Sequence, residues 1–170
     1  MTAGPTQEDI DPVRFITNRS SGKMGYAIAE AARDRGASVT LITAETNLAN
    51  LVGIHTIKIH SAIEMQQQLQ LETMEADAII MAAAVADWRP ENPSNVKIKK
   101  GISDKWTVEL TRNPDIIAGI KKDKLIKVGF AAESEDLIKN ATSKITQKNL
   151  DFIVANNINE ANSGFGADTN

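Results

Sequence analysis

Apolar runs and amphipathic stretches alternate along most of the chain. Short apolar or alternating runs predict β-strands, and longer stretches with a helical spacing of apolar residues predict helices. The strands are expected at residues 37–43, 54–59, 77–85, 106–110, 127–131 and 152–155. The helices are expected at residues 26–35, 61–75, 114–121 and 135–148, with Ser61 as N-cap ahead of Glu64 and Pro114 in a first turn. Residues 89–94 read as a loop, and the tail from Asn156 has no periodicity.

This order of elements predicts the fold class. Strands that alternate with helices are typical of an α/β domain, here a Rossmann-like, mostly parallel sheet with helices on both faces. The run at 77–85 is the longest and predicts a central strand. Ligands of such sheets bind beyond the carboxyl ends of the strands. We therefore expect the loop at 18–25, Asp87 and Phe130 to lie on one edge of a single domain spanning residues 1–170.

The loop at residues 18–25 (NRSSGKMG) has the features of a phosphate site. Its small residues let backbone N–H groups approach an anion, the helix that follows directs its positive dipole end there, and Lys23 adds a charge. The loop lacks the first glycine of a Walker sequence, and it holds only the Gly22-x-x-Gly25 half of the dinucleotide fingerprint. An ordinary tight turn is the alternative interpretation.

Composition narrows the function classes. A net charge of −3 gives no general attraction to nucleic acid or to a membrane surface, so an anion site must come from local cations. The chain has no cysteine, which excludes disulfides, zinc thiolates and a cysteine nucleophile. No signal peptide or apolar run of membrane-spanning length is present, and a cytoplasmic protein is the default expectation. His55 and His60 would point to opposite faces of a strand, and Asp9 and Asp11 read as solvated turn residues.

Eight short segments, taken in order, resemble phosphopantothenoylcysteine synthetase. They are residues 2–6 (TAGPT), 11–14 (DPVR), 18–25 (NRSSGKMG), 82–88 (AAAVADW), 97–100 (KIKK), 113–116 (NPDI), 129–133 (GFAAE) and 149–151 (NLD). The resemblance implies that 4'-phosphopantothenate is joined to L-cysteine, with CTP and Mg²⁺, through an acyl-cytidylate. It also implies a homodimer and a fused or associated decarboxylase half that would carry FMN. Compared with the family, we expect this chain to be trimmed at both ends.

The resemblance assigns roles to particular residues. Asn18 is expected to bind the reacting carboxylate and its oxyanion, and Lys97 to neutralise the departing pyrophosphate, which makes both catalytic. Arg14 is expected near the same site, and the residues expected to bind substrate are Arg14, Ser20, Ser21, Gly22 and Lys23. Taken alone, Asn18 could be a turn or cap residue, Lys97 part of a solvated basic loop, and Arg14 a surface salt-bridge partner.

The resemblance also implies a nucleotide pocket. Its expected residues are Ala83, Ala84, Asp87, Lys97, Lys100, Pro114, Asp115, Ile116, Ile117, Phe130, Lys144 and Lys148, with Asp87 as a magnesium ligand through the nucleotide. Small alanines would let cytosine approach the backbone. Lys144 and Lys148 are four residues apart on one helical face, so both could face phosphates, although such a face is commonly only solvated.

Two other functions stay open at this level. An NAD(P)-binding oxidoreductase domain would use Glu45, just past the strand predicted at 37–43, to bind a ribose hydroxyl. The incomplete glycine fingerprint argues against it, and no residue resembles a hydride-transfer acid or base. A non-catalytic nucleotide-binding or assembly module is the third interpretation.

Overall fold

The computed structural model describes residues 1–101, 104–133, 135–157 and 159. Within them the strands are β1 (Thr2–Ala3), β2 (Gln7–Asp11), β3 (Arg14–Thr17), β4 (Thr40–Thr43), β5 (His55–Lys58), β6 (Ala78–Met81), β7 (Trp88–Pro90), β8 (Leu110–Arg112), β9 (Ile126–Glu133) and β10 (Phe152–Asn157). The helices are α1 (Lys23–Asp34), α2 (Ala62–Glu72), α3 (Ile116–Gly119) and α4 (Leu137–Lys148).

Six strands form one parallel sheet in the spatial order β5-β4-β1-β6-β9-β10. Ranked by their order along the chain, these strands read 3-2-1-4-5-6, which is the doubly wound dinucleotide-fold order. The strand order reverses between β1 and β6. A sheet of this kind has its binding crevice at that reversal, beyond the carboxyl ends of the two strands.

Helices cover both faces of the sheet, as predicted. Adjacent residues of β4 show this, because successive strand side chains point to opposite faces. Leu41 packs in one apolar cluster with Tyr26 and Ala29 of α1. Ile42 packs in a second cluster, which contains Met65 and Leu69 of α2, Ile79 of β6, Ile116 of α3 and Ile120 just after α3. α4 packs against β9 and β10 and also contacts α3.

Two antiparallel hairpins stand outside the parallel sheet. β2 pairs with β3, and β7 pairs with β8. The β2–β3 hairpin is inserted between β1 and α1, so α1 does not follow the first strand directly. β2 also contacts β7, which brings the two hairpins together beside the sheet.

The sequence patterns located most sheet strands but missed other elements. Ser61 caps α2 by accepting from the Glu64 amide at 3.3 Å, as predicted. β7 (Trp88–Pro90) overlaps the start of the loop predicted at 89–94, and β8 begins only at Leu110, the last residue of the strand predicted at 106–110. These two strands form because they pair with each other, and no buried apolar run marks them. α3 has one turn, and Asp115 rather than Pro114 begins it by accepting from the Ala118 amide.

The structure corrects three other predictions. α1 begins at Lys23 rather than residue 26, and β10 extends into the tail expected to be irregular. The remainder of that tail, except Asn159, is outside the described residues. Asp11 is not a solvated turn residue, because its side chain is buried within β2. No helix among the described residues has the length and apolar character needed to cross a membrane.

Candidate functional site

A cavity of about 650 Å³ opens at the strand-order reversal between β1 and β6. Its lining includes all of the predicted site residues except Arg14, Lys97 and Lys100, and these are Asn18, Ser20, Ser21, Gly22, Lys23, Ala83, Ala84, Asp87, Pro114, Asp115, Ile116, Ile117, Phe130, Lys144 and Lys148. The 18–25 loop, Asp87 and Phe130 therefore lie together as predicted. The volume is typical of a site for a small molecule.

The amino-terminal end of α1 borders this cavity. Gly22 precedes the helix with φ +78°, and a Cβ there would lie 2.8 Å from the Thr46 Cγ2. A Cβ on Gly25 would lie 2.5 Å from the Ala3 Cβ, so a glycine lets α1 pack directly on β1. The Ser20 hydroxyl accepts from the Gly22 amide at 3.3 Å. The positive end of the helix dipole is thus fixed against the central strand and can attract an anion.

Asn18 connects the end of β3 to the loop that follows β6. Its Nδ2 group donates to the carbonyl oxygens of Ala84 at 3.3 Å and Val85 at 3.0 Å. These are the donors that the predicted oxyanion role requires. Asn18 lines the cavity, but to serve an oxyanion its amide would have to exchange a main-chain carbonyl for the substrate oxygen.

The loop after β6 is held in place by buried threonines that the sequence patterns did not single out. Thr2 Oγ1 accepts from the Ala83 amide at 3.1 Å, and Thr6 Oγ1 accepts from the Ala86 amide at 2.9 Å. Both threonines are completely buried. The Ala84 amide donates in turn to the Gly4 carbonyl at 3.0 Å. The main chain of this small-residue loop therefore forms a preorganised wall of the cavity.

Asn113 is a second residue that the patterns missed as a positioning group. Its side-chain Nδ2 donates to the Ala86 carbonyl at 2.8 Å, and its backbone N–H donates to the Asp87 carbonyl, also at 2.8 Å. It thereby joins the segment after β8 to the segment after β6. An asparagine ahead of a proline resembles any turn residue, so only the contact between the two loops reveals its role.

Two of the three lysines of α4, Lys144 and Lys148, face the cavity, and each has a carboxylate partner. Lys144 pairs with Glu133, whose side chain is 14% exposed, and Lys148 pairs with Asp115 at 3.0 Å. Glu133 also accepts from the Asn140 amide group at 3.2 Å. The two cations are therefore held at the cavity wall before any ligand binds. The expectation that they face a common site agrees with this geometry.

The carboxylates of the site suit a metal that is carried by a nucleotide. The described residues contain no group of three or more metal-binding side chains of His, Cys, Asp or Glu. Asp87, which is exposed, and Asp115 both line the cavity. Mg²⁺ commonly uses one or two carboxylates and completes its coordination with phosphate oxygens and water. The side chains present fit that mode and offer no closed protein cage.

Arg14, Lys97 and Lys100 are not part of the lining of the cavity. The Arg14 guanidinium binds the buried Asp11 carboxylate and stacks on the Trp106 ring, with 4.3 Å between the guanidinium carbon and the ring centroid. The hydrogen bonds from Arg14 hold the pKa of Asp11 well below its usual range. Lys97 and Lys100 are exposed.

The geometry does not favour a dinucleotide. Glu45 is not part of the cavity lining. The next residue, Thr46, packs tightly on two glycines: a Cβ on Gly4 would lie 2.9 Å from the Thr46 methyl, and a Cβ on Gly22 would lie 2.8 Å from it. The cavity extends instead toward β6, β9 and β10. The residue expected to bind a dinucleotide ribose is therefore outside the cavity.

Comparisons with known proteins agree on one family. The family model described as the DNA/pantothenate metabolism flavoprotein C-terminal domain matches residues 1–170. The coenzyme A biosynthesis bifunctional protein CoaBC of Vibrio cholerae is 44% identical over 174 residues, which cover 100% of this chain and 44% of that protein. The chain thus spans less than half the length of this curated relative.

Solved structures give the same result. The C-terminal domain of CoaBC matches with a TM-score of 0.79 and 44% identity, covering 91% of this chain and 74% of that one. A Cab2 variant in complex with phosphopantothenate-cysteine matches with a TM-score of 0.77, covering 92% of this chain and 71% of that one. Its identity is 17%, so this likeness shows the fold alone.

Proposed function

Because this chain belongs to the family of DNA/pantothenate metabolism flavoprotein C-terminal domains, we propose that it ligates 4'-phosphopantothenate to L-cysteine with CTP. The 44% identity to a coenzyme A biosynthesis protein supports the pathway. The observation that carries the proposal is the cavity at the strand-order reversal. There a helix amino terminus, three lysines and a wall of small residues line one space.

The proposed first step activates the substrate carboxylate. A carboxylate oxygen attacks the α-phosphorus of CTP, and the bond from that phosphorus to the bridging oxygen breaks. Pyrophosphate leaves, and an acyl-cytidylate remains. The negative charge that moves onto pyrophosphate needs cations held in place beforehand. We assign this task to Lys97, with support from Lys100.

The proposed second step forms the amide. The cysteine amine attacks the acyl carbon, an oxyanion develops, and the bond to CMP breaks as the amine loses a proton. We assign the oxyanion contact to Asn18. Its Nδ2 donates to the Ala84 and Val85 carbonyls, so this role requires that the amide exchange one of these carbonyls for the oxyanion.

The triphosphate is proposed to lie between α1 and α4. The amino-terminal N–H groups of α1, near Ser21 and Gly22, would bind it from one side. Lys144 and Lys148 would bind it from the other. Their present partners, Glu133 and Asp115, hold the ammonium groups at the cavity wall, which reduces the ordering required when phosphate replaces a carboxylate.

The base is proposed to lie against Ala83 and Ala84, with residues 114–117 and Phe130 completing the pocket. Cytosine presents an amine donor and a carbonyl acceptor on one edge, and main-chain groups can read both. The wall here is preorganised by Thr2 and Thr6, so the backbone can discriminate without a side chain. Mg²⁺ would be held by Asp87 through the nucleotide, and it would neutralise phosphate charge.

We further propose that the active unit is a homodimer and that FMN belongs to a decarboxylase half. The two hairpins expose several large apolar side chains beside the site, and these are Val13, Phe15, Trp88, Val96, Trp106 and Leu110. Large exposed apolar groups on two hairpins that contact each other are typical of a subunit interface. A second protomer seated there would lie next to the Lys97 loop.

Nucleotide-dependent melting tests the proposal. With Mg²⁺ present, CTP should raise the melting temperature more than ATP, NAD or NADP. At a hundred times its dissociation constant a ligand stabilises by about 2.7 kcal/mol. For a chain of this size that corresponds to about 5–10 °C. Lys144→Gln should reduce the CTP effect, whereas Lys139→Gln, an exposed position on the same helix, should leave it unchanged.

The outcomes separate the three candidate functions. A larger shift with NAD than with CTP would favour the oxidoreductase interpretation and contradict ours. A CTP shift without pyrophosphate release in the presence of phosphopantothenate would indicate a nucleotide-binding module. Pyrophosphate release that depends on both CTP and phosphopantothenate, followed by amide formation with cysteine, would support the ligase.

A further inference from the structure

The segment that carries Lys97 is attached to the β2–β3 hairpin through its main chain. The Ser94 amide donates to the Ile10 carbonyl at 2.9 Å. The Ile98 amide donates to Asp11 Oδ2 at 3.0 Å, and the Ile98 carbonyl accepts from Arg14 Nη2 at 2.9 Å. Both peptide groups that flank Ile98 are therefore held, and the first of them is bonded directly to the Cα of Lys97.

Asp11 is the centre of this attachment. Its Oδ1 accepts from the amides of Val13 and Arg14, each at 2.9 Å, and this closes the turn between β2 and β3. Its Oδ2 accepts from Arg14 Nε at 3.1 Å, from Arg14 Nη2 and from the Ile98 amide. The carboxylate is 1% exposed, so these donors replace its hydration. Oδ1 thus stabilises the turn, and Oδ2 binds Arg14 and the Lys97 segment.

Arg14 links the Asp11 carboxylate to the carbonyl group of Ile98. Its planar guanidinium can bind a carboxylate and a carbonyl at the same time, which an ammonium group cannot do in the same geometry. The ring of Trp106 covers its face at 4.3 Å from the guanidinium carbon. Arg14 is therefore oriented from three directions.

β3 places this attachment at a fixed distance from the rest of the site. Arg14 is the first residue of β3, and Asn18 follows its last residue, Thr17. Four residues of extended chain span about 13 Å. Asn18 is in turn bonded to the loop after β6. The same short strand thus spaces Lys97 from the cavity wall.

We propose that Asp11 is a positioning residue for Lys97, acting through Arg14 and the two peptide groups of Ile98. The inference rests on the proposed function, in which Lys97 meets the departing pyrophosphate. Lys97 is exposed, and a long side chain on an untethered loop would lose more freedom when it binds phosphate. Fixing its Cα in advance leaves only the side chain to be ordered.

Asp11→Asn separates the two tasks of the carboxylate. The amide oxygen can still accept from the Val13 and Arg14 amides, so the turn is retained. The amide NH₂ would then face the Ile98 N–H and the guanidinium, which are both donors. This variant therefore releases the Lys97 segment selectively. Arg14→Lys is a second variant that should release the Lys97 segment. It keeps the positive charge but lacks the planar guanidinium that binds Asp11 and the Ile98 carbonyl together. Asp9→Asn is the matched control, since Asp9 lies on the same strand and pairs only with His60 among the contacts described.

The first measurement is amide hydrogen exchange of Ile98 in the full, ligand-free chain. Asp11→Asn and Arg14→Lys should each accelerate it at least about tenfold, while Asp9→Asn leaves it unchanged. An unchanged Ile98 rate in the first two variants would overturn the proposal whatever the activity. This arm needs no substrate, so it is independent of the ligase assignment.

The second measurement is a double-mutant cycle on the rate of pyrophosphate release. With Lys97 present, Asp11→Asn should lower kcat at least about tenfold; in a Lys97→Gln background its effect should fall below about twofold. If the reductions in kcat caused by Asp11→Asn and Lys97→Gln multiply in the double variant, Asp11 does not act through Lys97 and the proposal fails. If the wild-type chain releases no pyrophosphate, the proposed function itself fails, and the catalytic purpose of the attachment fails with it.

Discussion

The contact between α1 and β1 offers the most direct test of how the site is built. Replacing Gly25 by alanine would place a Cβ 2.5 Å from the Ala3 Cβ and 2.7 Å from the Thr2 carbonyl oxygen. Carbon atoms normally approach to about 3.5–4.0 Å, so α1 must move by about 1 Å. β1 cannot yield easily, because it is hydrogen-bonded to β4 on one side and β6 on the other.

The expected cost follows from these distances. Overpacking of a well-packed core costs about 1–3 kcal/mol, and a contact with the main chain of a central strand belongs at the upper end. The higher helix propensity of alanine offsets about 1 kcal/mol of this loss in folding free energy. A net loss of about 2 kcal/mol corresponds to a melting temperature lower by about 4–8 °C. Because the amino terminus of α1 moves away from the cavity, the stabilisation by CTP should fall by at least about half.

Thermal melting with and without CTP measures both effects. Gly119→Ala is the control, because a Cβ there meets no atom within 4 Å. That variant should melt at or slightly above the wild-type temperature and keep the full CTP shift. A Gly25→Ala protein with wild-type melting and an undiminished CTP shift would refute the idea that this contact sets the position of the helix.

Two further substitutions test the predicted catalytic residues. Asn18→Asp removes the donors to the Ala84 and Val85 carbonyls, so it should lower stability by about 2 kcal/mol. Assayed at a temperature where it is still folded, its amide-forming rate should be at least about a hundredfold lower, and a near-normal rate would leave Asn18 a purely structural residue. Lys97→Gln should leave the melting temperature unchanged and strongly reduce turnover, whereas Lys99→Gln should do little. Equal activity of both lysine variants and wild type would contradict the role of Lys97 at the departing pyrophosphate.

The parallel sheet was predictable because its strands carry their own apolar signal. β4 and β6 lie within the apolar runs that marked them, β9 extends past both ends of its run at 127–131, and Ser61 caps α2 where expected. The proximity of the 18–25 loop to Phe130 follows from parallel topology alone, because the carboxyl ends of parallel strands meet at one edge of the sheet. Local pattern and tertiary structure agree in these places, so the pattern was sufficient.

The hairpins were not predictable from periodicity. β2 reads QEDID, a polar run typical of a loop. Its buried members, Glu8 and Asp11, are accommodated because distant groups satisfy them. Glu8 accepts from the Ala62 amide at 3.0 Å, and Asp11 accepts from Ile98. These partners are 54 and 87 residues away along the chain, so the pattern of neighbouring residues cannot predict them. The positioning roles of Thr6 and Asn113 were hidden for the same reason.

The short central strand has a consequence for synthesis of the chain. Thr2 and Ala3 form β1, yet β1 pairs with Ile42 and Thr43 of β4 and with Met81 of β6. At ribosomal rates of about 5–20 residues per second, about 4–16 s separate the addition of Thr2 from that of Met81. β4 and β5 can pair before β6 exists, while β1 still lacks one of its two neighbours. The crevice between β1 and β6 is therefore completed late in translation, and the walls that β9 and α4 contribute come later still.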